Sequence, residues 1–455
     1  MKSVLKQSDN FNENYAARVC RVDSVEPIEG ADRLHLAHVA SQKIVVGKDI
    51  KPGDFVVYFP LECQISHKYL SINNLYKDPE LNEDPNSKGF FEKNRRVRCI
   101  KLRGTYSPGF IAPIETIELA YPETRKILWN GTEVFDKIGN DLVAKKYIVP
   151  LPTNTARDSQ HRSKHANKRA LRKSERLIPG QFQLHYDTSK MDFHMDSLCP
   201  EMNTYISVKM DGTSIVMANV LAYEELTPFK RFLKKLHLYK PKKQYNKIYS
   251  TRRVIQNEEF NDGTISNFYS VNIHKMVFDK FKDYIPDGYT MYGEVVGWIP
   301  GTNQCVQKDH DYGCRPGEWA FYLYRITVTD AKGNCHECDM SAVAEMANAM
   351  KGWGLPCEPV VKLYHGKLGD LFGLWKDGGD LNKWRENLLY ELHNCKEWHM
   401  EQNEPLCKNK VPREGIVIRI DNDIYPRAFK LKTAAHFARE TKALDKGETN
   451  IEDQV

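Results

Sequence analysis

The chain has 455 residues, 41% of them hydrophobic and 28% charged, with a formal net charge of +6. This length is enough for two domains, and the composition excludes a fibrous or low-complexity chain. No apolar run is long enough to span a bilayer, and residues 1–15 lack the apolar core of a signal peptide. We therefore expect a soluble, intracellular (cytoplasmic) protein whose eleven cysteines are free thiols.

Residues 1–150 are predicted to be a β domain. Short apolar runs, separated by turns rich in proline and glycine, predict strands over 17–25, 33–39, 43–46, 55–59 and 97–102. Several short strands in this length indicate a small β-barrel. Its last strand is flanked by Arg95, Arg96, Arg98, Lys101 and Arg103. Such a basic strand is typical either of a solvated surface or of a nucleic-acid platform.

Two basic blocks follow this domain. Residues 157–176 contain eight basic and two acidic residues, an excess equal to the net charge of the whole chain. We interpret residues 151–180 as a basic linker, with a helix predicted over 171–177. Residues 230–247 contain eight basic residues and no acid. Either block alone is compatible with a solvated helix face, whereas the two together favour a polyanionic partner.

Lys209 lies in the most informative segment, Val208-Lys209-Met210-Asp211-Gly212. An apolar strand precedes the lysine, and we expect a tight Asp-Gly turn and a second strand over 215–220 to follow it. Burying a lysine between strands favours its neutral amine, which is a nucleophile. Lys-x-Asp-Gly is the signature of enzymes that carry a nucleotide on a lysine, but the motif is short enough to occur by chance.

Five later segments offer the partners that this chemistry needs. Transfer of a nucleotide to a lysine requires oxygen ligands for a metal, cations for the phosphates and an aromatic surface for the base. In chain order the candidates are Arg252, Glu294, the pair Tyr322 and Tyr324, Glu414, and the pair Lys430 and Lys432. Each alone has an ordinary explanation as a turn, a core aromatic or an alternating surface residue. Their order and number indicate one site.

That order resembles the lysine-dependent covalent nucleotidyltransferase superfamily. Residues 177–182, 185–188, 249–255, 306–314, 323–327 and 413–415 are similar to one of its families, the ATP-dependent nick-sealing RNA ligases with an N-terminal OB domain. The resemblance extends over about residues 17–446. It implies an α+β fold with an OB-like nucleic-acid-binding domain at 1–150. A nucleotidyltransferase domain of antiparallel sheets flanked by helices is expected at 181–455.

The resemblance also implies residue roles. Lys209 would be the adenylylated nucleophile, and Lys430 and Lys432 would contact the α-phosphate, with Lys430 helping to keep Lys209 neutral. Asp211, Glu294 and Glu414 would hold Mg²⁺ or Mn²⁺ through its waters or bind the ribose hydroxyls. The remaining expected nucleotide contacts are Arg252 on the ribose or phosphate, Tyr324 (or Tyr322) stacked on adenine, and Gly212, whose small size would let the backbone approach the nucleotide.

The implied activity is the sealing of 3′-OH and 5′-phosphate ends in RNA or in an RNA-containing nicked duplex. We expect a monomer that acts in RNA repair, and the setting could be cellular, phage or viral. Three alternatives stay open. A GTP-dependent capping guanylyltransferase and a DNA ligase usually carry the OB domain after the transferase domain. A non-catalytic nucleic-acid scaffold would not need the intact lysines and glutamates.

Two local features bear on this interpretation. Many ligases carry an acidic residue just before the nucleophile, but Ser207 and Val208 stand there. The resemblance therefore implies covalent nucleotidyl transfer and leaves the choice between adenine and guanine open. Cys335-His336-Glu337-Cys338 is a lone C-x-x-C without a zinc-module spacing, and we interpret it as a polar β-turn with buried thiols rather than a zinc site.

Overall fold

The structure is a computed structural model that describes residues 4–149, 173, 175–257, 259–260, 271–421 and 427–448. The strands of the N-terminal domain are β1 (Leu5–Lys6), β2 (Ala17–Arg21), β3 (Ser24–Pro27), β4 (Leu34–Val39), β5 (Gln42–Gly47), β6 (Phe55–Phe59), β7 (Cys63–Ile65), β8 (Cys99–Leu102), β9 (Thr105–Pro108), β10 (Phe110–Pro113), β11 (Glu133–Phe135), β12 (Lys137–Ile138), β13 (Asp141–Leu142) and β14 (Ala144–Lys146). Its helices are α1 (His67–Ile72) and α2 (Glu115–Ala120).

The N-terminal domain is built around an antiparallel sheet with the order β10-β6-β2-β11 and a meander β3-β4-β5. The continuous apolar run of β6 is buried because both of its faces are covered: Val57 and Phe59 pack in one cluster with Val19, and Val56 and Tyr58 pack in another with Ala37. The predicted strands at 33–39, 43–46 and 55–59 are confirmed, and the run 17–25 is divided into β2 and β3. Among the described residues the pairing is shared between several short sheets rather than closed into one barrel.

The remaining elements form the second domain. Its strands are β15 (Ser189–Lys190), β16 (Asn203–Lys209), β17 (Thr213–Tyr223), β18 (Lys243–Ser250), β19 (Tyr289–Gly297), β20 (Trp319–Thr329), β21 (Cys335–Glu337), β22 (Cys357–Pro359), β23 (Lys362–Lys367), β24 (Gly415–Ile420) and β25 (Arg427–Lys432). Its α-helices are α3 (Pro228–Lys235), α4 (Ile273–Phe281), α5 (Met340–Gly352), α6 (Leu381–Asn394) and α7 (Ala434–Asp445). Across the two domains, 3₁₀ turns cover Glu13–Tyr15, Pro79–Leu81, Pro122–Lys126, Met191–Phe193, Met195–Ser197, Lys282–Tyr284 and Leu368–Gly373.

Two sheets make up this domain. One has the order β15-β25-β24-β16-β23, and the other has the order β18-β17-β19-β20-β21 with β22 also paired to β20. Their pairs are antiparallel except β15 with β25 and β22 with β20. Apolar faces of α4 and α5 cover the second sheet, and α6 covers the first through Trp384 and Leu388. The expected α+β fold of antiparallel sheets flanked by helices is therefore confirmed.

Lys209 lies where the chain passes from one sheet to the other. It is the last residue of β16, and β17 begins at Thr213 in the other sheet. The strands expected on both sides of Lys209 are confirmed as β16 and β17, but they do not pair with each other: β16 pairs with β23 and β24, and β17 pairs with β18 and β19. The lysine is thus placed between two layers.

The last helix, α7, packs on the N-terminal domain. Ala438 is part of the same apolar cluster as Val57 and Phe59, with Phe437 packed against it. Arg96 is buried, and its guanidinium lies 2.8 Å from Asp445 of α7. Arg98 lies 3.3 Å from the same carboxylate. Arg96 and Arg98 of the basic segment therefore hold α7, and contact of this segment with nucleic acid stays a prediction.

The structure describes the second basic block in full but only the end of the first. Most of the first, with its predicted helix at 171–177, lies outside the described residues; its described end, Arg176-Leu177, forms a turn and a bridge to Ala222 rather than a helix. The second block covers α3 and the start of β18. Phe229 and Phe232 of α3 are exposed beside its basic residues.

All eleven cysteines lie within the described residues and are free thiols, as predicted. Cys335 belongs to β21, so the β-turn predicted at this motif is wrong. In the part of the chain that is described, no three His, Cys, Asp or Glu side chains are grouped to hold a metal ion. The described helices are too short or too polar for any of them to cross a bilayer.

Candidate active site

A cavity lies beside Lys209, between the two sheets. The candidates that line it are Lys209, Arg252, Glu294, Tyr324, Lys430 and Lys432. They come from β16, the loop after β18, β19, β20 and β25. The fold therefore brings together groups that are more than 200 residues apart in the chain.

A buried carboxylate joins two of the lysines. Glu414, just before β24, has no exposed side-chain surface, and its Oε1 lies 2.7 Å from Lys209 Nζ and 3.0 Å from Lys432 Nζ. The register explains this contact, because Lys209 and Lys432 both lie opposite Gly415, on the two strands that flank β24. The nucleophile candidate thus shares one carboxylate with a second cation: Glu414 favours the ammonium form of Lys209, and the charge of Lys432 opposes it.

The second sheet supplies the opposite side of the cavity. Glu294 lies across from Ser214 on β17, whose hydroxyl donates a 2.8 Å hydrogen bond to Glu294 Oε2. Tyr324 is on β20, and its ring lies 5.6 Å from the ring of His185. Burial lowers the pKa of His185 to about 3, with Arg252 adding to the effect, so the imidazole is neutral. Two uncharged aromatic rings, inclined at 67° to each other, thus line this side of the cavity.

The two tyrosine candidates are separated by a β-bulge. The pairing of β19 with β20 shifts between Tyr292 and Gly293, so that Tyr324 is the additional residue of β20. Tyr324 lines the cavity, and Tyr322 packs with Val296 and Tyr312 instead. The structure therefore places Tyr324, rather than Tyr322, at the site.

Arg252 is held by a partner that sequence reasoning did not assign. It lies in the loop after β18, not on the strand as expected, and its guanidinium pairs with Asp187. Burial raises the pKa of Asp187, but Arg252 and Lys430 outweigh burial and lower it overall. The arginine is thereby fixed at the edge of the cavity.

Asp211 is not part of the cavity lining in the described residues. Its Oδ2 lies 3.4 Å from Nε2 of His310 and 3.8 Å from Nδ1 of His436. His436 Nε2 in turn lies 4.0 Å from Glu414 Oε1. The backbone N–H of Asp211 donates a 2.7 Å hydrogen bond to the Tyr312 hydroxyl. Asp211 therefore reaches the site through His436.

Gly212 packs against the neighbouring strand. A β-carbon there would lie 2.3 Å from the carbonyl oxygen of Val295 and 2.9 Å from Glu294 Cγ. The glycine is thus required for the close approach to β19, and it is not among the residues that line the cavity.

Replacing Gly212 with alanine should lower the free energy of unfolding by about 1–3 kcal/mol, because β17 and β19 must separate to admit the methyl group. Thermal or urea unfolding measures the loss. Gly131→Ala is the matched control, since a β-carbon there meets nothing within 4 Å. Equal stability of the two variants would contradict the close packing.

Lys430 is the cation whose charge is most sensitive to its surroundings. Burial lowers its pKa from 10.5 to about 7; the carboxylate of Glu62 opposes this effect and Lys432 adds to it. Lys430 is therefore cationic below neutral pH and becomes neutral as the pH rises through about 7.

ATP binding should weaken above neutral pH if Lys430 contacts phosphate. In a Lys209→Ala background, where titration of the nucleophile has no effect, the Kd for ATP should rise about tenfold between about pH 6 and about pH 9, the value of one charged hydrogen bond. Calorimetric titration measures it. Adding Lys430→Arg should flatten the profile, since arginine stays charged; an unchanged slope would contradict the assignment.

The carboxylates fit a metal held through water better than a direct cage. Glu294 and Glu414 come from different sheets, and the described residues contain no three-ligand cluster. Glu414 Oε2 is buried without a hydrogen-bond partner in the described part of the chain. Mg²⁺ characteristically keeps several waters and uses one or two carboxylates together with substrate phosphates. This donor set is compatible with that mode.

Several residues of the site were missed by sequence reasoning. They are Glu62, Asp187, Lys190, His436 and Glu440. Glu440 Oε1 lies 3.4 Å from His436 Nε2 and 3.8 Å from Lys432 Nζ. His436 and Glu440 share a face of α7 because they are four residues apart. This four-residue spacing, on the helix that follows Lys432, was the one feature of the sequence that could have pointed to His436 and Glu440.

Comparisons with known proteins agree with this architecture. An OB-fold domain family matches residues 16–114. Among solved structures, an apo mutant of Naegleria gruberi RNA ligase aligns with a TM-score of 0.54 at 17% identity, covering 94% of this chain and 98% of that chain. The chain has the fold of that ligase.

Further structures of the same Naegleria gruberi ligase align with similar scores. A mutant with AMP and Mn has a TM-score of 0.52 at 18% identity, covering 94% of this chain and 99% of that one. The ligase with PPi has a TM-score of 0.53 at 16% identity, covering 95% and 99%. A comparison with curated proteins gives no match.

Proposed function

We propose that this protein is an ATP-dependent RNA ligase that works through a covalent lysyl-AMP intermediate. The observation that carries the proposal is the arrangement of Lys209, Glu414 and Lys432 at a cavity whose other side carries Glu294 and Tyr324. The likeness in fold to an RNA ligase whose solved structures include a mutant with AMP and Mn, and the ligase with PPi, supports it.

In the first step, Lys209 Nζ forms a bond to the α-phosphorus of ATP. The bond from that phosphorus to the bridging oxygen breaks, and pyrophosphate leaves with the electron pair. Lys209 must lose a proton before attack. The cation of Lys432 favours this loss, and Glu414 Oε1, 2.7 Å away, is within reach of the proton.

The other residues bind the nucleotide in this proposal. Lys430 and Lys432 contact the α-phosphate, Arg252 contacts the ribose or phosphate, and Tyr324 stacks on adenine. Glu294 and Glu414 would hold Mg²⁺ or Mn²⁺ through water, with Asp211 acting indirectly through His436. Bound there, the metal would neutralise charge on the triphosphate.

Two further steps complete the proposed ligation. A 5′-phosphate oxygen attacks the phosphorus of lysyl-AMP, the N–P bond breaks, and Lys209 is released. The 3′-OH of an RNA strand then attacks the activated 5′-phosphate, and AMP leaves. The partner is RNA or an RNA-containing nicked duplex, and RNA repair is the role that such sealing would serve.

Labelling separates this proposal from its alternatives. The protein is incubated with Mg²⁺ and α-labelled ATP or GTP, and then denatured. Label retained from ATP supports the ligase, whereas label from GTP alone would favour a capping guanylyltransferase. No label from either would favour a non-catalytic scaffold. Nicked duplexes with RNA or DNA at the 3′-OH end then measure strand preference, and sealing of all-DNA nicks at the same rate would contradict an RNA ligase.

A further inference from the structure

Glu62 lies in an unusual backbone conformation at the inner face of the N-terminal domain. It is in the short turn between β6 and β7, with φ of +66°. This left-handed region suits glycine and is unfavourable for a glutamate. Its own carbonyl oxygen accepts a 2.8 Å hydrogen bond from Tyr147 N–H, so the main chain is fixed within the N-terminal domain. A side chain held at such a position suggests a function for that side chain.

The Glu62 carboxylate points toward the second domain. Its Oε2 is buried without a hydrogen-bond partner in the described residues and lies 3.7 Å from Nζ of Lys190. Lys190 Nζ also donates to the carbonyl oxygen of Leu61 at 3.2 Å and lies 5.1 Å from the centre of the Tyr15 ring. Three groups of the N-terminal domain therefore surround one lysine of the catalytic sheet.

Lys190 is directly adjacent to the candidate phosphate-binding strand. β15 pairs in parallel with β25, and Lys190 lies opposite Lys430. Lys430 and Lys432 line the cavity beside Lys209, and together with Lys190 they also line a second cavity between the two domains. Glu62 thus pairs with Lys190 and lies close enough to Lys430 and Lys432 to act on them electrostatically.

The pKa values of Glu62 and of the lysines around it depend on one another. Burial opposes ionisation of Glu62, but Lys432 and Lys190 outweigh burial and lower the pKa of Glu62. Burial also lowers the pKa of Lys190, and Glu62 is the largest charge that opposes this. The charged or titratable groups facing this cluster are Tyr15, Lys146, Asp187, Lys190, Asp192, Arg252, Lys430, Lys432 and Glu440.

We propose that Glu62 is a positioning residue through which the N-terminal domain holds Lys190, Lys430 and Lys432 in place for contact with the nucleotide phosphates. The N-terminal domain then takes part in the first chemical step, in addition to any contact it makes with nucleic acid. This inference rests on the proposed function, because it concerns the same lysines.

Glu62→Gly is the most informative variant, because glycine relieves the backbone strain while it removes the carboxylate. We expect relief of the backbone strain to offset only part of the stability that is lost when Lys190 loses its carboxylate partner, and thermal unfolding measures the remaining loss. The rate of lysyl-AMP formation should fall about tenfold, as is usual when a supporting group is removed. Glu62→Gln should slow the reaction similarly, and Glu62→Asp should partly restore it. Glu29→Gln removes an exposed carboxylate of the same domain and serves as the control.

A pH profile distinguishes this role from a structural one. Glu62 supports the positive charge of Lys430, so ATP binding by Glu62→Gln should begin to weaken at a lower pH than in the original protein. If Glu62→Gly keeps the original rate and profile, Glu62 is only a turn residue and the inference is overturned. If the original protein forms no adduct, the proposed function fails first. An adduct in the original protein with no effect of the variants overturns the inference alone.

Discussion

Replacing Lys209 with alanine should abolish the covalent protein–AMP adduct and leave the protein folded. Loss of the attacking amine should lower the rate by about 10⁴-fold or more, as loss of a covalent nucleophile does in other enzymes. The fold should persist because Glu414 keeps Lys432 as a partner at 3.0 Å. Gel analysis of the denatured protein after incubation with labelled ATP measures the adduct, and thermal unfolding measures the fold.

Lys209→Arg is the matched control for charge. Arginine keeps a cation beside Glu414 but cannot be deprotonated in a protein, so it cannot attack phosphorus. We therefore expect no adduct from this variant either. Adduct formation by Lys209→Arg or by Lys209→Ala would show that another residue carries the nucleotide.

Replacing Glu414 with alanine should damage both stability and chemistry. The carboxylate is fully buried and lies within 3.0 Å of two ammonium groups, so its removal leaves neighbouring buried cations without their shared partner. Breaking a buried ion pair in this way costs about 3–5 kcal/mol. Urea unfolding should show this loss, and adduct formation should fall with it.

Two further variants separate the causes. Glu414→Gln keeps the side-chain volume and removes the charge, so it should retain packing while the adduct is still lost. Glu358→Gln removes an ion pair of similar length, 2.7 Å to Lys351, but at a partly exposed position. We expect that variant to lose at most about 1 kcal/mol. A loss as small in Glu414→Ala would contradict the buried network.

The sequence predicts local structure well where the apolar pattern is strong. The runs at 33–39, 43–46 and 55–59 become β4, β5 and β6 because one or both faces are buried. The segment around Lys430 and Lys432 becomes β25, with both lysines at the same cavity as expected from their spacing. The alternation of apolar side chains and the identity of the turn residues are properties of a short segment, and these strands depend on little else.

What the sequence could not predict is which strand pairs with which. The strands on either side of Lys209 follow from their apolar runs, yet they enter different sheets. A period of two fixes which side chains share a face, but it does not identify the neighbouring strand. For the same reason the sequence did not show that Asp187 pairs with Arg252 or that Lys190 lies beside Lys430. Each contact depends on tertiary packing.

The docking of α7 on the N-terminal domain sets an order of assembly during synthesis. Thr441 Oγ1 accepts a hydrogen bond from Cys99 N–H at 3.2 Å, a contact that spans 342 residues. Such distant contacts form late, because a long loop must close before they contribute stability. Because Ala438 belongs to the core of the N-terminal domain, that core is completed only after α7 has been synthesised, and Glu440 reaches Lys432 and His436 at the same stage. The set of charges proposed for catalysis would then be incomplete in any nascent chain that lacks α7.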